Sequence, residues 1–459
     1  MTNKFSMSFK PSTSVKEEDA GQTNKRFKTC WVDADTILHS SSIALQQSYI
    51  NVKHKNSGRV KRFENKTDFG IRGGRIIPNK WLDLTNQAMI EKGKSPFNID
   101  DFEIEECFEI KPEFKNNIDA IEYGLQSIGF TVGGLKKYAD SEDYKLIISA
   151  GEGNYRNDYA KTLKYKGNRS DKPILYSELK EAMIDQYKSK IVLARGVEAE
   201  DICGWKAKEQ EDKFGEDFSK WEECIAFIDK DVKMVYSPSI NYRKFEEGFT
   251  FPTKLECTKH LVSQIVAGDE SCDNIKGLPN LTEEVTSKFG LRRANGCGKT
   301  TAENLIADCE TEKECYERAV FAYQSYYSLD PVKFKAWDGE TLEWTWLDFM
   351  QETSILVKMQ DFEGEIWSVE DKLKSLGIDY SEKLFQEPQK VYIGNEQHSQ
   401  EVMALVESIL KEDMVGIKSL KKADIGERID LIKYKLESIS FESHFEMKQF
   451  EKENLNGND

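Results

Sequence analysis

Residues 29–35 read TCWVDAD, a short apolar run that ends in two acids, and the residues that follow, TILHSSSIALQQSYI, have the spacing of a helix. This order predicts a first strand, a tight turn and a first helix. Further apolar runs, each bounded by turn or charged residues and separated by helical segments, are YKLIISAG (144–151), SKIVLARG (189–196) and CIAFIDKD (224–231). Alternating strands and helices predict an α/β fold whose mostly parallel sheet has helices on both faces.

Acidic side chains are concentrated where the predicted strands end. They are Asp33, Asp35, Glu198, Glu200, Asp201, Asp229, Asp231, Asp269 and Asp273. Open α/β sheets bind ligands at the carboxyl ends of their strands, and so many carboxylates would repel one another there without a multivalent cation. Oxygen ligands suit Mg²⁺ or Mn²⁺, and two such ions can bind both the attacking and the leaving oxygen of a phosphodiester. The acids therefore predict metal-dependent nuclease chemistry.

Composition limits the other possibilities. Nine cysteines without a CxxC pair argue against a disulfide scaffold and against structural zinc. No apolar run is long enough to cross a membrane and the first residues lack a signal peptide, so we expect a soluble, cytoplasmic protein. Because the net charge is -16, nucleic-acid binding requires local basic patches, and residues 156–172 supply one with six Lys or Arg against two Asp.

The chain of 459 residues exceeds the usual size of a single core. Residues 1–28 lack periodicity and predict a disordered leader. Residues 51–116 are polar and rich in Gly and Lys, which indicates an insertion or a long loop. Residues 251–367 are largely helical in pattern, and residues 368–459 form a charged extension to which we assign no role.

Five motifs in this order resemble the 5′-nuclease superfamily, which includes flap endonucleases, the 5′-nuclease domain of bacterial DNA polymerase I and, most similar, bacteriophage 5′ to 3′ exonucleases. The motifs are WVDAD, GEGNYRNDY with YKGNRSDKP, GVEAED, FIDKDVKMV and AGDESCDNIKGLP. The resemblance implies a PIN-like (Rossmann-like) catalytic domain over residues 29–250, with a helical arch at about 152–176. It also implies a helix-hairpin-helix DNA-binding subdomain over residues 251–367.

The resemblance assigns roles to individual residues. It implies two Mg²⁺ ions, replaceable by Mn²⁺. Asp33, Glu198, Glu200 and Asp201 would hold the first ion and its bridging waters, and Asp229, Asp231 and one or both of Asp269 and Asp273 would hold or approach the second. Lys166, Arg169 and Arg156 would contact phosphate beside the scissile bond. Lys161, Lys164 and Tyr155 would contact DNA, and Tyr165 could stack on bases.

The segment NGCGKTTAENLI resembles the second half of a helix-hairpin-helix motif, whose exposed backbone amides bind a duplex phosphate. The implied contacts are Gly296, Gly298, Lys299 and Thr300, and members of the superfamily can bind K⁺ at this hairpin. The same string imitates a phosphate-binding P-loop. That motif needs glycine where this chain has Arg293, which argues against ATP binding.

The chain departs from the superfamily pattern in three places. The second predicted strand ends in Ala150 and Gly151 where many members have an acid, which leaves Glu152 as the nearby substitute. The segment AGDESCDN has an extra residue between its acids, so Glu270 could replace Asp269. In addition, the residues between the NIKGLP segment and the NGCGKTT segment split the hairpin.

The implied partner is double-stranded, gapped or flapped DNA, and single-strand-binding or replication proteins are further candidates. We expect a monomer in the cytoplasm, that of a bacterial host if a phage encodes the chain. Two alternatives stay open: a 5′-nuclease that acts on RNA or RNA-DNA hybrids, and a catalytically silent DNA-binding protein. Retention of the acids argues against the silent protein, because shedding negative charge would improve its phosphate affinity.

Overall fold

The computed structural model describes residues 26–151, 153–292 and 295–385. The predicted leader, apart from its last residues, the extension beyond 385, Glu152 and Arg293 lie outside the described residues.

The strands are β1 (Phe27–Asp33), β2 (Gln46–His54), β3 (Val60–Phe63), β4 (Ile71–Arg72), β5 (Arg75–Ile76), β6 (Phe102–Ile110), β7 (Ser141–Ser149), β8 (Ile191–Ala194), β9 (Glu223–Phe227), β10 (Ser239–Asn241), β11 (Phe249–Thr250), β12 (Gly268–Asp269), β13 (Ile275–Lys276), β14 (Val332–Lys335) and β15 (Thr341–Trp344). The helices are α1 (Asp35–Ile43), α2 (Lys66–Phe69), α3 (Trp81–Glu91), α4 (Asn117–Tyr138), α5 (Arg156–Tyr159), α6 (Tyr176–Gln186), α7 (Ala199–Phe214), α8 (Lys254–Ala267), α9 (Glu283–Lys288), α10 (Lys299–Ile306), α11 (Glu312–Tyr327), α12 (Trp346–Val357) and α13 (Val369–Ser375).

The central sheet has six strands in the order β11-β10-β9-β1-β7-β8. All neighbouring pairs are parallel except β10 with β11. Successive side chains of β1 point to opposite faces: Cys30 and Val32 pack in the cluster with α1, α4 and α6, whereas Trp31 packs on the side of α7. The predicted mostly parallel sheet with helices on both faces is confirmed.

The first helix is shorter than the sequence pattern predicts. The prediction extended it through the segment that ends at Ile50, but α1 ends at Ile43 and β2 begins at Gln46. The reason is tertiary, because β2 pairs along its whole length with β6, from Gln46 with Ile110 to His54 with Phe102. A partner strand so distant in the chain leaves no local signal.

The segment 51–116 is not a long loop. Strands β3, β2 and β6 form an antiparallel sheet that begins five residues before the predicted insertion, at Gln46. Its own core contains Ile50, Val52, Phe69, Leu82 and Phe102. The insertion is therefore a small folded subdomain.

Helices α8, α10, α11 and α12 lie where the sequence predicts helices after residue 251, and they share one core. The amide of Cys297 donates to the carbonyl of Pro279 at 3.0 Å. This bond joins the segments before and after α9 that the sequence assigns to the two halves of a helix-hairpin-helix motif. The hairpin β14-β15 was not predicted. In the described part of the chain, no helix combines the length and apolar character that a membrane span requires.

The segment predicted as a helical arch contains only one short helix, α5, among its described residues. It is held down at several points. The buried carboxylate of Glu352 accepts hydrogen bonds from the amides of Lys161 and Thr162, and the indole of Trp337 donates to the carbonyl of Ala160 at 2.8 Å. Neither Glu352 nor Trp337 was singled out in the sequence. The segment is pinned against α12 and the β14-β15 hairpin, and the prediction of a helical arch is not confirmed.

Candidate functional site

The predicted acids meet at one edge of the central sheet. Strands β1, β7, β8 and β9 run parallel, so their carboxyl ends lie at the same edge. Asp33 is the last residue of β1, Glu198 is the residue before α7, and Asp229 begins the short 3-10 helix after β9. Local sequence puts an acid at or after the ends of β1, β8 and β9, and the parallel sheet brings these acids together.

The first group of carboxylates is buried and mutually repulsive. Asp33 is fully buried, and burial together with Asp35 and Asp229 raises the pKa of Asp33 to about 8. Burial also raises the pKa of Glu200 well above its usual range, and the neighbouring Asp33 and Glu198 raise it further. These groups hold more negative charge than the interior stabilises without a cation.

The end of β7 is organised around Asp35. The Ser149 amide donates to Asp35 Oδ1 at 3.0 Å, and the Ser149 hydroxyl donates to Oδ2. Lys180 of α6 donates to the carbonyls of Ser149 and Ala150 at 2.7 and 2.9 Å. Burial lowers the pKa of Lys180. Sequence analysis missed Ser149 and Lys180, because nothing in the segment SELKEAM links it to the end of β7.

Glu198 contacts side chains of the segment that was predicted as an arch, residues 152–176. Its Oε1 accepts hydrogen bonds from Tyr165 Oη and Asn154 Nδ2, each at 3.0 Å, and forms an ion pair with Lys166. Burial favours a higher pKa for Glu198, but Lys166 and Arg156 outweigh burial and lower it to about 2. Lys166 therefore lies at the acid edge, in an ion pair with Glu198. Tyr165 is 5% exposed and its ring is not available to stack on a base.

Asp273 links the basic segment to the second group of acids. Arg169 forms an ion pair with Asp273, Lys166 Nζ lies 3.8 Å from Asp273 Oδ2, and the Lys166 amide donates to the Asp273 carbonyl at 2.7 Å. Lys166 has φ +55°, in the left-handed region that an L residue rarely adopts. Two cations thus share one carboxylate, and the tertiary contact holds Lys166 in an unusual backbone conformation.

The second group consists of Asp229, Asp231 and Asp269. Burial and the nearby Asp229 raise the pKa of Asp231 to about 7. Lys230 Nζ forms an ion pair with Asp269 Oδ2 at 2.8 Å, and this contact outweighs burial and lowers the pKa of Asp269. Asp269 is buried whereas Glu270 is exposed, so Asp269 occupies the motif position despite the extra residue.

Arg156 and Asp201 form an interior ion pair. Arg156 is 2% exposed and donates to both oxygens of Asp201 at 2.7 and 2.8 Å, and also to two α12-end carbonyls. Asp201 also accepts from the amides of Glu198 and Gln360 at 2.9 and 3.0 Å. The predicted roles of Arg156 as a phosphate contact and of Asp201 as a metal ligand do not match this placement. Their bonding is fully used inside the protein, where Asp201 orients Glu198.

The residues predicted to contact DNA are dispersed. Lys161 is paired with Asp338 and Glu340 at 3.3 and 3.1 Å, and Lys164 is exposed near the Trp337 ring. Tyr155 is half-buried under the Arg156 guanidinium. Gly296, Gly298, Lys299 and Thr300 lie at the hairpin before α10 and its first turn, apart from the strand-end acids in the chain. Lys299 and Thr300 are exposed there, and Gly296 has φ +133°, which favours glycine.

The donor set fits a divalent cation. Within residues 26–151, 153–292 and 295–385, no group of three or more His, Cys, Asp or Glu side chains is placed so that it could hold a metal ion. The charge distribution nevertheless favours a cation, because burial and mutual repulsion raise the pKa of Asp33, Glu200 and Asp231. The predicted ligands are all carboxylates, whose oxygens suit Mg²⁺ or Mn²⁺.

Stability without metal should fall as pH rises, and Asp33→Asn should remove part of that fall. The pKa of Asp33 is about 8 in the folded protein and 3.8 as an ordinary value, so between about pH 4 and pH 8 the unfolded chain has lost this proton while the folded protein keeps it. The stability of the folded state therefore falls across this range and levels off above it. In EDTA, we expect the free energy of unfolding of Asp33→Asn, measured relative to that of the parent, to rise by about 2 kcal/mol between pH 6 and pH 8.5.

The measurement is the melting temperature in EDTA at both pH values. Asp308→Asn is the control, because Arg318 lowers the pKa of this exposed carboxylate and it stays ionised throughout. Mg²⁺ at pH 8.5 should stabilise the parent more than Asp33→Asn. If the melting temperature of Asp33→Asn changed with pH as the parent's does, ionisation of Asp33 would not cause the loss of stability.

Together these features define a class of protein: a mostly parallel α/β domain with acidic side chains at the carboxyl edge of its sheet and two basic side chains, Lys166 and Arg169, paired with them. No family model and no curated protein matches the chain. Among solved structures, the chain is similar to a bacteriophage T5 protein co-crystallised with metal ions, at 14% identity and a TM-score of 0.28, covering 51% of this chain and 92% of that one.

Two further bacteriophage T5 structures are similar to the chain. One is a 5′-exonuclease with bound zinc, at 15% identity and a TM-score of 0.28, covering 43% of this chain and 80% of that one. The other is a flap endonuclease in a pseudo-enzyme-product complex with DNA and metal ions, at 13% identity and a TM-score of 0.27, covering 51% and 90%. Likenesses of this size do not transfer an activity, so the function is argued from this chain's own residues.

Proposed function

We propose that the protein is a metal-dependent 5′-nuclease that hydrolyses DNA phosphodiester bonds from 5′ ends, as an exonuclease or a flap endonuclease. The observation that carries the proposal is the meeting of Lys166 and Arg169 with the strand-end acids at Glu198 and Asp273. A phosphodiester needs cations around its non-bridging oxygens and an activated water. This edge offers ligands for the metal ions and fixed positive charge beside them.

The carboxylates divide between two ions. Asp33, Glu198 and Glu200 would hold the first, and Asp229, Asp231, Asp269 and Asp273 would hold or approach the second. When bound, such ions would neutralise the phosphodiester and lower the pKa of a water molecule. Asp201 supports the first group indirectly, because it accepts the Glu198 amide hydrogen bond and fixes the start of α7.

Lys166 and Arg169 would bind the substrate. Each now neutralises a carboxylate, Glu198 or Asp273, and a phosphate that arrives with metal ions would compete for the same ammonium and guanidinium groups. The Lys166 amide is bonded to the Asp273 carbonyl, which keeps this part of the segment at the acid edge during such an exchange. Positioning of this kind lowers the entropic cost of reaching the transition state.

The hairpin before α10 would bind the duplex. Gly298 is the residue before α10, and its exposed neighbours Lys299 and Thr300 leave the helix start open to a phosphate. Such a contact does not read sequence. K⁺ at this hairpin, a role in replication, primer removal or recombination, contacts with replication proteins and a monomeric state belong to the same proposal.

The test is digestion of a duplex DNA labelled separately at its 5′ and 3′ ends. We expect early release of short 5′-labelled products with Mg²⁺ and no release with EDTA, because the strand-end acids need the cation. Early loss of the 3′ label instead would reject the 5′ polarity. Duplex binding without cleavage in Mg²⁺ or Mn²⁺ would favour the silent DNA-binding protein.

The same digestion separates DNA from RNA as the substrate. Matched DNA duplex, RNA-DNA hybrid and single-stranded RNA are cleaved side by side at equal concentration. Faster cleavage of hybrid or RNA would assign the RNA-directed activity, whereas the proposal expects the DNA duplex to be cleaved fastest.

A further inference from the structure

One part of the folded insertion, residues 53–80, has a strong local excess of positive charge, whereas residues 81–116 carry nine acids against four Lys. Residues 53–80 contain nine Lys or Arg against two acids, Glu64 and Asp68, in a chain with a net charge of -16. The cations are Lys53, Lys55, Arg59, Lys61, Arg62, Lys66, Arg72, Arg75 and Lys80. Such an excess in an acidic protein calls for an anionic partner or for carboxylates that neutralise it.

Neighbouring carboxylates neutralise only part of this charge. Lys53 pairs with Glu103, Arg62 with Glu109 and Lys80 with Asp68. The remaining six cations are exposed and form no ion pair with any residue that the structure describes. We call them the insertion cations: Lys55, Arg59, Lys61, Lys66, Arg72 and Arg75.

A small rigid core presents the insertion cations. Lys55 and Arg59 lie in the turn between β2 and β3, and Arg72 and Arg75 flank the turn between β4 and β5. Below them Phe69 and Leu82 are fully buried, and Lys61 Nζ lies 4.8 Å from the Trp81 ring. A core of this kind holds the backbone under the cations, so a bound anion orders mainly their side chains.

The tip between Arg72 and Arg75 is bare backbone. Gly73 and Gly74 have φ of +55° and +72°, and a Cβ at either glycine would meet no atom within 4 Å. Glycine lets a phosphate approach the main chain closely, and two flanking guanidinium groups match the geometry of phosphate oxygens. This is a favourable shape for a backbone phosphate.

The insertion is attached beside the candidate site. Gln46 begins β2, and its Oε1 accepts a hydrogen bond from the Ile174 amide at 2.8 Å. Ile174 lies at the end of the pinned segment that carries Lys166 and Arg169. This bond connects the start of β2 to the segment that carries Lys166 and Arg169.

We propose that the insertion cations bind backbone phosphates of the nucleic-acid substrate outside the cleavage site, without reading its sequence. This rests on the proposed function for the identity of the anion. The contact would add substrate affinity to a chain whose overall charge repels DNA, and salt would weaken it. It would not take part in the chemical step.

The test removes four of these charges from the full-length protein, as Lys55→Gln, Arg59→Gln, Arg72→Gln and Arg75→Gln together. The matched control is Lys28→Gln, Lys137→Gln, Lys188→Gln and Lys220→Gln, four exposed lysines near the amino ends of the parallel strands, opposite the acid edge. Binding to a duplex and to a single-stranded oligonucleotide is measured in EDTA across a salt series, so cleavage is not required.

We expect the insertion variant to bind at least one of the two DNAs about tenfold or more weakly at 0.1 M salt, with a salt slope smaller by roughly 2 to 4, because each phosphate contact contributes about 0.9. The control should keep the parent slope within about one contact. A loss confined to the duplex or to the single strand identifies the DNA segment that is bound. Equal slopes for the insertion variant and the control would overturn this proposal alone. A parent protein that neither binds DNA in EDTA nor cleaves it in Mg²⁺ would overturn the proposed function as well.

Discussion

Cleavage by the Asp229→Asn, Asp231→Asn variant is expected to fall at least about 10⁴-fold, while duplex binding stays within about threefold of the parent. Asp229 caps the 3-10 helix Lys230–Met234 after β9, and Asp231 lies in that helix. Asp229 lies close enough to Asp33 to raise the pKa of Asp33. The two replaced residues therefore connect the two groups of acids. Asparagine keeps their size but removes the charge that would hold the cations.

The fold should survive this double replacement. Asp229 caps the 3-10 helix by accepting the Asp231 amide at 3.1 Å, and an asparagine oxygen can accept the same bond. Because burial raises the pKa of Asp231, neutralising it removes a destabilising charge. The measurement is a single-turnover rate with saturating enzyme, with binding measured separately in EDTA.

Asp185→Asn with Asp308→Asn is the control, because it removes two exposed carboxylates from surface ion pairs with Lys188 and Arg318. This control should cleave like the parent. If the Asp229→Asn, Asp231→Asn variant cleaved at more than a tenth of the parent rate, these acids would not hold the metal ions and the proposed site would be wrong.

Replacement of Arg156 by methionine should cost about 3 to 5 kcal/mol of folding free energy, because it leaves the Asp201 carboxylate buried without its partner. The side chains of Arg156 and Asp201 are 3% and 0% exposed, so solvent cannot compensate for the lost pair. The carbonyls of Leu356 and Lys358 also lose the donors that the guanidinium supplies. The measurement is urea unfolding, with the slope compared to confirm a common unfolded state.

Two comparisons sharpen this experiment. Arg169→Met should cost no more than about 1 kcal/mol, because the Arg169 side chain is 53% exposed and such pairs are weak. Arg156→Met with Asp201→Leu should recover part of the loss, since no buried charge remains unpaired. If Arg156→Met were as stable as the parent yet failed to cleave DNA, the interior pair would not be structural and the predicted phosphate contact would be restored.

Local sequence predicted the strands and their acids well for a physical reason. An apolar run such as CIAFIDKD specifies a buried strand and its end within eight residues, and parallel strands place such ends at one edge of a sheet. Lys166 was predicted from the motif YKGNRSDKP, whose residues are consecutive in the chain. The first helix was overextended because only pairing with β6 shows that Gln46 begins a strand.

The sequence by itself determined the α/β alternation, the acids after β1, β8 and β9 and the basic segment, because each depends on residues close together in the chain. Only the tertiary structure decided which basic side chains are paired with an acid and which stay exposed to bind a phosphate. It paired Arg156 with Asp201, 45 residues away, and Lys161 with Asp338, 177 residues away, while it left Arg72 and Arg75 exposed. Charge type can be read from a sequence, but burial and the nearest opposite charge depend on contacts that only the folded chain makes.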